Sequence, residues 1–365
     1  FVFHQYYSLD VYIKTINNNE YFNFIFKFDS LQIIIYKLYT MSENKPIQLG
    51  LCCLNLELKA NKPPIYGSRK MIIKSIEEKG IETLKEKIIS NLEDTLKMIE
   101  WNEKYGIKVF RLSSDLFPHK SNINAPQYEL DFAKELLEQI GNLAKGYNQR
   151  LTFHPGQYNV IGTPNKKSLD QTIRDLSYHA TVLDMINAGD DSVMVIHGGG
   201  LYGDKEETKK RWIKQYKELP EFIRKRLVLE NCERCFSIKD CLDVSKETLI
   251  PVVFDTHHFE CYKQLHPDEV FEDPEYYIKD ILDSWGNIKP KFHVSEQGKG
   301  KCGHHSDYIE TIPDYLLEIP EKYNINIDIM IEAKMKEKAI FRLYEKYPFL
   351  NCAKSRKIVV KTKQV

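Results

Sequence analysis

Val252-Val-Phe-Asp255-Thr-His-His258 is an apolar run that ends in a carboxylate followed by two imidazoles. Four further runs share its form: Leu151-Thr-Phe-His154, Val193-Met-Val-Ile-His197, Leu227-Val-Leu-Glu230 and Ile327-Asp-Ile-Met-Ile-Glu332. A sixth, Lys291-Phe-His293, presents two polar groups on one face, because side chains alternate along a strand. Around these runs, from Ile47 onward, strand-like segments alternate with longer helical patterns, which is the signature of parallel βαβ units. The pattern predicts strands at 47–54, 107–112, 150–154, 192–197, 227–231, 251–255, 290–294 and 325–332. Helices are predicted at about 81–105, 127–146, 168–188, 204–218, 238–246, 274–284, 311–319 and 335–346. Such an alternation closes a (β/α)8 TIM barrel, an α/β fold in a single domain, more naturally than it fills an open sheet. Active groups of that fold gather at the C-terminal rim of the strands, where each quoted donor falls.

With 365 residues, 42% of them hydrophobic, the chain is long enough to bury one barrel core. Its formal net charge of zero argues against holding nucleic acid by bulk charge, so any DNA surface must be a local basic patch or depend on metal ions. Eight cysteines scattered through a long chain predict a reduced, intracellular protein rather than a disulfide scaffold. Cys232-Glu-Arg-Cys235 has the spacing of a redox or zinc pair but lacks a second pair, so buried apolar cysteines are the simpler reading. Residues 1–40 contain no Met, Gly, Ala, Pro, Arg or Cys, and read as an upstream extension or disordered tail before Met41-Ser42-Glu43. The barrel domain is expected over 41–350, with a basic C-terminal tail over 351–365. Lys27, Asp29, Gln32 and Lys37 interrupt the one apolar stretch that resembles a membrane anchor, and no signal peptide pattern is visible.

His119, His154, His197, Glu230, Asp255, His258, His293, His305 and Glu332 all belong to predicted strand ends or the loops that follow them. Carboxylates converging there would be expensive to bury unless cations neutralised them. One catalytic zinc commonly takes three protein ligands, so a donor set of this size implies two or three divalent ions. Such ions generate hydroxide from water and neutralise phosphodiester oxygens; they also polarise sugar carbonyls, so the metal alone leaves the substrate open. Lys291 should face the same side as His293, which would set an ammonium beside cations. Three readings stay open for it: a neutral amine, a carbamate, or a contact to phosphate. Two rim loops add positive charge, 55–80 with Lys59, Lys62, Arg69, Lys70 and Lys74, and Gly298-Lys-Gly-Lys301-Cys-Gly-His-His305.

Nine motifs run in order through the chain: Leu49-Gly-Leu-Cys-Cys-Leu-Asn55, Phe110-Arg-Leu-Ser-Ser-Asp-Leu-Phe-Pro-His119, Phe153-His-Pro-Gly-Gln-Tyr158, Ile196-His-Gly-Gly-Gly200, Leu229-Glu-Asn231, Phe254-Asp-Thr-His-His258, Lys291-Phe-His-Val-Ser295, His305-Ser-Asp-Tyr308 and Met330-Ile-Glu-Ala-Lys-Met-Lys336. Through them the chain resembles the UV damage endonuclease family. The resemblance implies a TIM barrel related to endonuclease IV and a manganese-dependent, trinuclear centre. It implies cutting of damaged double-stranded DNA immediately 5′ to cyclobutane pyrimidine dimers, 6-4 photoproducts and some abasic sites, leaving a 3′-hydroxyl. The family's metal ligands match the nine donors named above, and its carboxylatable lysine matches Lys291. Glu230, Lys291 and Glu332 are the expected catalytic residues, with Glu230 the bridging carboxylate. Gln157 and Tyr158 match the pair that occupies the space opposite an extruded lesion, Asn55 a position near the lesion, and Lys334 and Lys336 are expected on the DNA backbone. Leu51 stands where some relatives carry tyrosine, a departure that bears on lesion contact at that position and not on the metal site. The enzyme is expected to act as a monomer, without an organic cofactor or a membrane. An abasic-site endonuclease, a metal-dependent sugar isomerase or epimerase, and a catalytically silent damage binder are the competing readings of the same barrel.

Overall fold

The structure, a computed structural model, describes residues 45–353 together with the short strands Ile25–Phe28, Leu31–Ile34 and Lys363–Gln364. The larger of two compact units, residues 43–355, is the predicted barrel. Its strands are β1 (Ile47–Cys52), β2 (Val109–Arg111), β3 (Arg150–Thr152), β4 (Met194–His197), β5 (Leu227–Glu230), β6 (Val252–Asp255), β7 (Lys291–Val294) and β8 (Ile327–Ile331). Neighbours pair in parallel, and β1 pairs with β8 through Ile47↔Ile327 to Leu51↔Ile331, joining first strand to last. The remaining seam, β3 to β4, closes through Phe153, whose N–H donates to Val193 O and whose carbonyl accepts from Val195 N, each at 3.0 Å.

Strand alternation splits the core in two. Outward residues such as Leu49, Phe110, Leu151, Ile196, Leu229, Phe254, Phe292 and Ile329 pack in one large apolar cluster with the helices. Inside the barrel lie two small clusters, Val193, Val195, Val228, Val253 and Trp285 on one side, and Cys52, Val109 and Met330 on the other. Gly50 is required on β1: a Cβ there would stand 2.9 Å from Met330 Cε and 3.2 Å from Val109 Cβ. At the N-terminal end the interior turns polar, with Arg150 Nη1 2.8 Å from the fully buried carboxylate of Asp328 and Lys289 Nζ 2.5 Å from its other oxygen.

Most helices fall where the periodicity places them, among them Ile81–Lys104, Lys166–Met185, Lys205–Glu218, Ile238–Thr248 and Pro274–Ser284. Their starts carry chemical signals: Asn165 and Asp204 cap two of them, and Ser237 with Asp240 forms a capping box on a third. Three local expectations need correcting. The connection 55–80 contains two short helices, Leu56–Lys59 and Ile73–Lys79; the first starts because the buried Glu337 carboxylate accepts Leu56 N and Glu57 N at 2.8 and 3.0 Å. A helix at Thr256–Leu265 begins directly on β6, because Asp255 Oδ1 accepts the N–H groups of His257 and His258, each at 2.8 Å. Cys53 does not share a strand with Cys52, because the chain turns there with φ at +59°.

In the smaller unit, residues 1–42 with 356–365, Ile25–Phe28, Leu31–Ile34 and Lys363–Gln364 form an antiparallel sheet in that order. The expected extension over 1–40 and tail over 351–365 otherwise lie almost wholly outside the described residues. Among the described residues no helix is long and apolar enough to cross a membrane.

Candidate metal centre

Glu230 is the hub of the site. It ends β5, is fully buried, and points into the barrel mouth among imidazoles from four other strands or their following turns. Its Oε1 lies 2.6 Å from His293 Nδ1 and 3.7 Å from His258 Nδ1, and its Oε2 lies 2.9 Å from His154 Nε2 and 3.6 Å from His197 Nε2. Glu332, just past β8, forms a second focus: Oε1 lies 3.2 Å from His293 Nδ1, and Oε2 lies 3.8 Å from His305 Nδ1. Asp255 forms the third, with Oδ2 3.7 Å from His258 Nδ1. Three sets of donors thus converge closely enough to share an ion: His154, His197 and Glu230; His154, His293 and Glu332; Glu230, Asp255 and His258.

The electrostatics fit cations. Burial would push the Glu230 carboxyl up, but the imidazoles of His293, His197 and His154 hold it well below the usual carboxylate range. Burial acts likewise on Glu332, and Arg111, whose Nη1 donates to it at 2.7 Å, outweighs that effect with His293. Asp255 is pushed up to about 6, first by burial and then, against the pull of His258, by Glu230 and Glu332. Burial drives His197 down to about 3, whereas for His258 the carboxylates of Asp255, Glu230 and Glu332 overcome burial and push it up to about 9. Three buried atoms in the pocket, His197 Nδ1, His293 Nε2 and Asp255 Oδ2, have no hydrogen-bond partner among the described residues. Orphaned imidazole and carboxylate donors around several anions are what divalent ions satisfy.

Lys291 lies one strand position pair below His293, fully buried, with Nζ 3.0 Å from Thr152 Oγ1. Burial first, then Arg111 and Arg150, push its amine down to about 7. The same Arg111 also donates Nη2 to Cys52 Sγ at 2.7 Å. Sequence reading missed Arg111 and Thr152 as site residues; an arginine at an inward position of a barrel strand was the available signal for the first.

Not every expected residue joins the hub. His119, in the loop after β2 with φ at +65°, lies outside all three donor sets, and its Nε2 lies 2.7 Å from Met71 O. Asn55 is fully buried and caps the helix Leu56–Lys59, its Oδ1 accepting Leu58 N at 2.8 Å. Gln157 and Tyr158 are exposed on the loop after β3, Tyr158 at 59%. Lys334 is exposed and Lys336 half-buried, and their segment is tied to the His305 loop by Lys334 N donating to Ser306 O and Met335 N to Asp307 O, both at 3.0 Å. Among the loop cations, Arg69 is turned to structure: it donates to Asp94 at 2.6 Å and to three backbone carbonyls. All eight cysteines are free, and the Cys232–Cys235 pair is a turn in which Cys235 N and Phe236 N both donate to Cys232 Sγ at 3.2 Å.

Comparison with known proteins gives this geometry its family. The model of the family described as UV-endonuclease UvdE matches residues 47–361. A protein of Acanthamoeba polyphaga mimivirus is 40% identical over 308 residues, 82% of this chain and 91% of its own. The UV-damage endonuclease of Schizosaccharomyces pombe is 37% identical over 327 residues, 84% of this chain, and the match spans only 52% of that longer protein. The crystal structure of SacUVDE superposes with a TM-score of 0.71 at 29% identity, covering 83% of this chain and all of that one. With β1 to β8 and every strand-end donor inside the matched span, the chain belongs to the UV-endonuclease UvdE family.

Proposed function

We propose that this protein is a DNA repair endonuclease that incises duplex DNA immediately 5′ to UV photoproducts and at some abasic sites, leaving a 3′-hydroxyl. The observation that carries this reading is the juxtaposition of a buried carboxylate hub, ringed by four imidazoles, with the exposed Gln157-Tyr158 pair on the adjoining rim loop. The three donor sets would hold two or three divalent ions, manganese foremost. Once bound, these ions supply activation of water at neutral pH and neutralise charge on the phosphodiester.

The protein's own groups have distinct parts in this scheme. Glu230 is held anionic by its imidazoles, and Arg111 holds Glu332 anionic and in place. His258, which carries a proton in the metal-free protein at neutral pH, gives it up when it becomes a ligand, so ion binding releases protons. Lys291, with its amine near neutrality, is suited to add carbon dioxide through its lone pair, forming a carbamate and releasing one proton; the resulting anion balances Arg111 and Arg150. His119 is assigned to the metal centre as the expected ligand from the loop after β2. Tyr158 offers a ring that replaces lost base stacking and Gln157 an amide that replaces lost pairing. Lys334 and Lys336 contact the DNA backbone, and Asn55, buried as the cap of the helix Leu56–Lys59, is assigned a position near the lesion.

A labelled duplex with one photodimer, incubated with manganese, magnesium or chelator, tests the reading, with the cut mapped to the nucleotide. Metal-dependent incision directly 5′ to the dimer is the expected result. Incision of an abasic duplex alone would reassign the substrate, and no cut under any condition would overturn the proposal.

A further inference from the structure

Asp175 lies on the helix Lys166–Met185, outside the metal centre, and is 2% exposed. A buried carboxylate is costly unless its oxygens are well satisfied, and here the donors come from two different rim loops. Oδ1 accepts from Ser121 Oγ at 2.6 Å and from the Tyr158 hydroxyl at 3.3 Å, while Oδ2 accepts from Asn159 Nδ2 at 2.8 Å. Ser121 follows His119 by two residues; Tyr158 and Asn159 belong to the loop after β3. The ring of His179, one turn along the helix, lies 3.6 Å from Oδ2 and is pushed toward its neutral form by burial, so hydrogen bonds rather than a cation satisfy the carboxylate. Gln171 on the same helix adds a second tie, donating Nε2 to Ser121 O at 3.1 Å.

Tyr158 is therefore anchored at one end and open at the other: its hydroxyl reaches the buried carboxylate while the residue as a whole is 59% exposed. We propose that Asp175 is a positioning residue for damage recognition, fixing the pose of the Tyr158 ring and locking the loop after β3 to the loop that carries His119. The inference rests on the reading of Tyr158 as a lesion probe. Binding then gains from pre-organisation, because an aromatic ring already held in place has less freedom to lose when a flipped lesion leaves a gap for it. Asp175→Asn replaces one accepting oxygen by an NH2 group, which sets a donor against donors and removes the charge, so the anchor is weakened with little change in volume.

Equilibrium binding to a photodimer duplex and to its undamaged counterpart tests this, for the wild type, Asp175→Asn, Tyr158→Phe and the double variant, with bound metal measured on each protein. Asp175→Asn is expected to weaken photodimer binding by about tenfold and undamaged binding by less than about twofold. Bound metal should be unchanged, and the two substitutions should combine to less than the sum of their separate effects, because both break one bond. Wild-type photodimer affinity in Asp175→Asn, or full additivity with Tyr158→Phe, would overturn the proposal. Should Asp175→Asn fail to fold, Ser121→Ala and Tyr158→Phe carry the same cycle, and additivity between them would overturn it equally. Tyr158→Ala separates the two claims: undiminished photodimer binding in that variant removes the probe reading itself, whereas a loss there with none in Asp175→Asn removes only the positioning role.

Discussion

Replacing Lys291 by methionine removes an amine from the barrel interior while keeping a side chain of similar length. The lysine is fully buried, and burial with Arg111 and Arg150 brings its folded value down to about 7. An unfolded lysine titrates near 10.4, so between pH 7 and that value the unfolded chain binds more protons, and stability rises with pH across the window. Below pH 7 the penalty is fully present, and above about 10.4 it is gone. At pH 7 the difference of roughly three units, at 1.36 kcal/mol each, amounts to about 4 kcal/mol. Methionine also loses the bond to Thr152 Oγ1, worth about 1 kcal/mol. The metal-free variant should therefore be about 3 kcal/mol more stable than the wild type at pH 7, with the gap closing toward pH 10, while incision of damaged duplex falls by about a hundredfold or more. Urea unfolding of both proteins, metal-stripped and in bicarbonate-free buffer from pH 6.5 to 9.5, measures the gap. A variant less stable than the wild type at pH 7, or a gap that does not change with pH, would refute the reasoning.

Other expectations follow from the same geometry. Glu230→Gln removes the charge shared by four imidazoles, and should cut incision by about a thousandfold and lower bound metal as read by elemental analysis; wild-type incision would remove the residue from the centre. Tyr158→Ala should weaken photodimer-duplex binding by about tenfold to a hundredfold without changing bound metal, which anisotropy titration and elemental analysis check together. His258 has a folded value of about 9, above the unfolded 6.5, so its contribution to metal-free stability is full below pH 6.5 and is lost as pH rises through 9. His258→Gln should lack that decline, worth about 3 kcal/mol, in unfolding curves compared at pH 6 and pH 9.5.

The barrel was legible because each strand combines an apolar outward face with a polar end, and these two signals reinforce one another at Leu229-Glu230 and Phe254-Asp255. The helix Thr256–Leu265 was not, because Asp255 serves at once as strand end, helix cap and member of a donor set, and the sequence displays the strand end and the donor but not the cap. Residues that could be named as donors could not be sorted into sets, since Glu230 meets His154 and His293 across separations of 76 and 63 residues. Arg111 and Glu332, 221 residues apart, and Lys291 and Thr152, 139 apart, are related only by barrel closure. Asn55 illustrates the reverse case: its side chain followed by Leu-Glu-Leu-Lys is a helix-cap signal, and capping is what the buried amide does.

Crystals grown with manganese and measured at the metal's absorption edge test the centre most directly. Two or three anomalous peaks are expected in the barrel mouth, with Glu230, Glu332, Asp255, His154, His197, His258 and His293 as their neighbours. Peaks elsewhere on the protein, or a barrel mouth that stays empty at saturating manganese, would contradict it.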